Sequence, residues 1–166
     1  MSLDLFYLVV MLSILLCSLV AGLVFGFAAV VMPGIAKFSD REFLLAFKHI
    51  DGIIQNNQPA FMLVWVGSIF SLIAAVVLGT INLSGGQLYH LWGAAALYLL
   101  AVQLPTVRFN IPLNNALQAL DINALSESDL AKARKDFEAP WNRWNSFRTL
   151  NAIFSVSGLL VLLLQL

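Results

Sequence analysis

Four apolar runs divide the chain. Leu5 to Met32, Ala60 to Asn82, Leu88 to Val107 and Thr149 to Leu166 contain no Asp, Glu, Lys or Arg. Each reaches the ~17–25 residues that carry a helix across a bilayer. The first run is too long for the apolar region of a signal peptide, and no basic segment precedes it, so it reads as a span. The pattern predicts spans at about 5–32, 59–82, 88–107 and 149–166, in a single membrane domain covering 1–166. Ser18, Gly22 and Gly26 form a small-residue ridge in the first span, and Gly67, Ser71, Ala75 and Gly79 form one in the second. Ridges of this kind let another helix approach closely.

Between the runs the period changes. Ser39-Asp40-Arg41-Glu42 is a capping box, with Phe38 and Phe43 spaced as a hydrophobic staple. It predicts a helix over Asp40–Ile54 with Phe43, Phe47, Ile50 and Ile54 on one face, Lys48 and Asp51 on its flank, and His49 elsewhere with Glu42. Such a helix lies at the membrane interface against the bundle. Asn56-Asn57-Gln58 caps the second span ahead of Pro59, and Ser84-Gly85-Gly86-Gln87 is a short turn, which makes spans two and three antiparallel neighbours. Pro105 and Pro112 are expected to kink the end of span three. Ser126-Glu127-Ser128-Asp129 caps a polar helix expected to end near Pro140. The fold class is all-α: an integral membrane four-helix bundle with a cytoplasmic interfacial helix and a helical loop before the last span.

Composition agrees. Sixty per cent of residues are hydrophobic and 11% charged, with a mean hydropathy of +0.87, against about 45–50% and 25% in soluble domains. The formal net charge is zero, which offers nothing to neutralise phosphates in bulk and argues against a nucleic-acid partner. The lone Cys17 can form no intramolecular disulfide. The distribution of charge is more telling. All nine Lys and Arg residues fall in 33–58 or 108–148, while both termini and the 84–87 turn lie on the other side. The positive-inside rule then places both termini outside and the polar segments in the cytoplasm, in an inner or plasma membrane.

Candidate chemistry concentrates on that side. In Pro140–Thr149, Trp141, Trp144, Asn145 and Arg148 follow i, i+3, i+4, i+7 and share a helical face. Two indoles, an amide and a guanidinium can stack on and orient a flat, partly anionic molecule. The same residues also suit an interfacial anchor, an aromatic belt with a cytoplasmic arginine. A second polar cluster follows Arg108, where Asn110 and Asn114 share a face near Pro112. These amides either satisfy backbone groups freed by the proline or contribute to a site. His49 and His90 would sit at opposite ends of the bundle and cannot share a metal or haem. No carboxylate interrupts a span, which disfavours a proton-coupled transporter or channel. No phosphate-binding loop, dinucleotide fingerprint or nucleophile elbow is present.

Val31-Met32-Pro33-Gly34, Asp40-Arg41-Glu42-Phe43, Asn57-Gln58-Pro59-Ala60-Phe61, Asn110-Ile111-Pro112-Leu113-Asn114 and Trp141 to Thr149 together resemble the small four-span anthrone oxygenase-like membrane family. The likeness runs from about Gly22 to the C-terminus, and N-x-P-x-N and W-x-x-W-N-x-x-R-T are its most specific motifs. It implies that Asn110, Pro112, Asn114, Trp141, Trp144, Asn145, Arg148 and Thr149 are the motif residues. It further implies oxidation of an anthrone to an anthraquinone without metal or organic cofactor. On that reading Asn110, Asn114, Trp141, Trp144 and Asn145 bind substrate and Arg148 holds a developing oxyanion. His49, whose residue type changes charge near neutral pH, is the candidate base. The alternative is a non-catalytic accessory subunit or a binding protein for a lipid or small aromatic molecule.

Overall fold

The structure, a computed structural model, describes residues 2–166. Five helices account for nearly all of them. Helix α1 (Ser2–Gly26) continues through a π-helical turn at Phe27–Val31 into Met32–Ile35. Helices α2 (Asp40–Gln55), α3 (Pro59–Asn82), α4 (Gly85–Gln118) and α5 (Glu127–Leu163) follow, with a 3-10 turn at Ile122–Ala124 before the last. Helices α1, α3, α4 and α5 are long and apolar enough to cross a membrane. They carry outward rows of exposed Leu, Ile, Val and Phe, such as Leu8, Leu63, Phe70, Ile81 and Leu100, a surface that suits lipid and not water. The protein is an integral membrane protein.

The packing order around the bundle is α1, α3, α4, α5 and back to α1. The buried face of α1 reads Phe6, Val10, Ser13, Cys17, Val20, Val24, Phe27, alternating steps of four and three as in a coiled-coil seam. That seam leaves Gly22 and Gly26 elsewhere. A Cβ at either would meet nothing within 4 Å, so the expectation that this ridge seats a neighbour is wrong. The second ridge does seat one. A Cβ on Gly67 would lie 3.2 Å from Leu16, and one on Gly79 would collide with Leu91 and lie 3.3 Å from Phe6.

Two predicted boundaries move. Pro140 does not end the polar helix; α5 runs through it from Glu127 to Leu163. A proline lacks the N–H that would bond the carbonyl four residues back, and that residue, Asp136, is exposed, so solvent can take the free carbonyl. The helical loop and the last span are therefore one element. Likewise α4 does not stop near Val107. It absorbs Pro105 between two π-helical turns, Leu99–Gln103 and Thr106–Asn110, and Pro112 in the first turn of Ile111–Gln118. Wide turns of this kind re-aim a helix without ending it.

Helix α2 forms with the predicted capping box, in which Ser39 accepts from the Glu42 N–H and Glu42 accepts from the Ser39 N–H at 3.0 Å. It lies across the polar end of the bundle, against α5 and the end of α4. Basic side chains fix it there: Arg41 donates to the Ile122 carbonyl at 2.7 Å, Lys48 to the Leu120 carbonyl at 2.6 Å, and Arg134 pairs with Asp40 at 3.0 Å. Phe43, Leu44 and Phe47 pack beneath it with Leu130, Phe137 and Trp141 in a second core. Its buried face also includes Asp51.

Candidate functional site

Helix α5 presents Trp141, Asn145 and Arg148 inward, all nearly inaccessible. Asn145 donates to the Val24 carbonyl of α1 at 3.0 Å, which pins its amide, and its oxygen accepts from Arg148 Nε and Nη2 at 3.1 and 2.9 Å. Arg148 Nη1 donates to Thr106 Oγ1 on α4 at 3.1 Å. A guanidinium has five N–H groups, so two remain without an acceptor among the described residues, and the group lies 5.5 Å over the Trp141 ring. Trp141 Nε1 donates to Asn114 Oδ1 at 2.8 Å, and its carbonyl accepts from Asn110 Nδ2 at 3.3 Å. The Asn110 oxygen is buried and has no partner among the described residues.

Asp51 comes from α2 to meet these groups, and it is 2% exposed. Its carboxylate accepts from Asn114 at 2.8 Å, Gln118 at 2.9 Å and Gln55 at 3.3 Å. Among the described residues neither Asp51 nor Arg148 has an ion-pair partner. A buried charge of either sign costs several kcal/mol unless paired or well hydrogen-bonded. Here amides and a hydroxyl supply the solvation.

Both charged groups line one cavity of about 270 Å³, just under the ~300–1,000 Å³ of common small-molecule sites. All five helices contribute to it. Leu23, Val24 and Phe27 of α1, Phe47 of α2, and Phe61, Met62 and Trp65 of α3 form the apolar wall, with Trp141 of α5. Thr106, Asn110, Asn114, Asp51 and Arg148 make the polar edge. Phe27 and Phe47 pack on Trp141 at 5.6 and 5.2 Å between centroids, so the aromatic residues of the wall brace one another.

Of the residues singled out from sequence, Asn110, Asn114, Trp141 and Arg148 meet around this cavity, and Asn145 stands behind Arg148 and orients it. Two do not come together with them. Trp144, at the edge of the helical stripe, turns to α4 and stacks flat on Phe109 at 3.7 Å and 4°. His49 is exposed on the outer side of α2, in an open hollow with Lys48 and Gly52. The structure therefore gives the cavity no histidine. Its carboxylate is Asp51, which the sequence reading left on the helix flank. A signal was available, because Asp51 falls between Leu44 and Phe47 on a helical wheel, in the middle of the apolar stripe. Thr106, Gln55 and Gln118 carried no such signal.

The family model described as anthrone oxygenase matches residues 56–158. The chain belongs to the anthrone oxygenase family. The matched stretch holds Asn110, Asn114, Trp141, Asn145 and Arg148, while Asp51 precedes it. Comparison with curated proteins and with solved structures finds no match.

Proposed function

We infer that this member of the anthrone oxygenase family oxidises a flat, weakly acidic aromatic ketone of the anthrone type in the cavity, using no metal or organic cofactor. One observation carries the reading: a buried carboxylate and a buried guanidinium, each without an ion pair among the described residues, share one aromatic-walled cavity. Unpaired buried ionisable groups in a cleft are candidates for acid–base work. The ring system packs against Phe27, Phe47 and Trp141. Its ketone oxygen takes the two open N–H groups of Arg148. Asp51 removes a proton from the methylene carbon, and the charge moves to the oxygen held by Arg148.

The rest follows from the substrate. The carbanion passes one electron to dioxygen, and the resulting radical and superoxide combine into a hydroperoxide anion, which takes a proton. Loss of the second carbon-bound proton expels water and leaves the quinone. Anthrone and dioxygen thus become anthraquinone and water, with oxygen reduced and the methylene carbon oxidised. The test is quinone absorbance formed by membranes carrying the protein. Asp51→Asn is expected to lower the rate by about 10²–10⁴-fold and Arg148→Gln by about 10²–10³-fold, with His49→Ala unchanged. A wild-type rate no higher than that of Asp51→Asn would contradict the reading.

The orientation belongs to the same proposal. The end of the bundle that holds the cavity carries all nine Lys and Arg residues, which supports a cytoplasmic placement.

A further inference from the structure

The geometry points to a lateral portal: the cavity fills from the bilayer, through the seam between α3 and α4, and its ligand is a membrane-dissolved flat apolar molecule with one hydrogen-bonding edge. This deepens the reading of the cavity given above and rests on it. Three observations lead there. First, α3 packs on the Gly85–Tyr98 part of α4 near their connecting turn, whereas the Leu99–Gln118 part packs chiefly on α5. The two π-helical turns at Leu99–Gln103 and Thr106–Asn110 fall where the helices part. Second, the cavity is walled on one side of this seam by Phe61, Met62 and Trp65 of α3 and on the other by Asn110 and Ile111 of α4. Phe61 and Trp65 are stacked at 5.4 Å and 26° and only half-buried, and Ile111 is exposed. Third, Leu104 and Val107, which continue the Ile111 face of α4, are apolar and 56% and 62% exposed. Exposed side chains of that size on a spanning helix face lipid.

The polar end of the seam is different. There the Gln55 amide donates to Asn115 Oδ1 at 3.0 Å and ties α2 to α4, while Asp51 sits behind it in a three-amide cage. The aqueous end is thus laced by side-chain amides, and the lipid side is lined by movable apolar side chains. A molecule entering from lipid would present its ring system first and meet the Arg148 donors last.

The test uses the full chain in phosphatidylcholine vesicles and anthraquinone as a non-reacting probe. Trp65 and Trp141 line the cavity, so binding is read as quenching of tryptophan fluorescence after rapid mixing. Ile111→Phe and Met62→Phe narrow the seam, and Asn115→Phe crowds the aqueous end. The expected result is that the two seam variants slow both association and dissociation by tenfold or more. Asn115→Phe should leave both rates as in wild type. Slowing by Asn115→Phe alone, or unchanged rates in all three, would overturn the portal while leaving the cavity as the seat. Absence of quenching in wild type would instead remove the binding site, and the portal with it.

Discussion

Trp141 joins the two polar clusters that the sequence separates by some thirty positions. Its indole N–H holds Asn114, its carbonyl holds Asn110, and its ring lies under Arg148. Trp141→Phe keeps the ring contacts with Phe27 and Phe47 but leaves the half-buried Asn114 oxygen without its donor. The expected cost is about 0.5–1.5 kcal/mol of stability, seen as a lower unfolding temperature in detergent; an unchanged temperature would show that Asn114 finds another donor. The residue scale is also where sequence reading was least complete. Asn110, Asn114 and Arg148 were legible because spacing and motif named them. Asp51 was missed, because the expected stripe of Phe43, Phe47, Ile50 and Ile54 left it on the flank, whereas the buried face turns toward Leu44 and Asp51. Ile50 is left outward, and the Gln55 amide of the same helix joins the Asn114 and Gln118 amides of α4 to make Asp51 tolerable inside. Neither partner set can be read from the helix alone.

The helices themselves divide by how much polarity they carry. The capping box of α2 was legible because it is a local exchange of hydrogen bonds within four residues. The Ser39 hydroxyl and N–H hold the Glu42 carboxyl below its usual value. A carboxyl depressed on folding stabilises the fold fully above its unfolded value and loses that contribution as pH falls through the folded one. The difference in melting temperature between wild type and Glu42→Gln should therefore shrink as pH is lowered through the carboxylate range; a gap constant with pH would contradict this. In α1 the reverse holds. An all-round apolar helix gives no contrast between its faces, so its small residues suggested a seam that Phe6, Val10, Cys17 and Val24 in fact occupy. Gly79→Leu should destabilise the bundle by about 1–3 kcal/mol or more through the clash with Leu91, whereas Gly22→Leu should be tolerated. Thermal unfolding in detergent separates the two, and equal loss in both would refute the packing order. Pro140 misled for a related reason: a proline marks a helix end only where solvent or a cap makes ending cheaper than losing one hydrogen bond.

At the scale of the molecule, four spans and an interfacial helix follow from apolar run lengths and charge placement, because a bilayer tolerates few alternatives. The cavity does not follow from them, since it depends on α4 being re-aimed by its π-turns and on α2 folding back over the polar end. If the basic end is cytoplasmic, a membrane-impermeant thiol reagent added outside should label a cysteine placed at Gly86 and miss one at Lys135, with Cys17 replaced by Ser. The opposite pattern would invert the orientation without moving the cavity. The central claim is narrower: that the Asp51 carboxylate takes a proton from carbon while the Arg148 guanidinium facing the same cavity holds the resulting charge. Hydrogen exchange tests it without oxygen or turnover. Membranes incubated anaerobically with an anthrone in D2O should exchange its methylene hydrogens faster than the uncatalysed rate, and Asp51→Asn should abolish that excess. Exchange undiminished in Asp51→Asn, or none above background in wild type, would contradict the account.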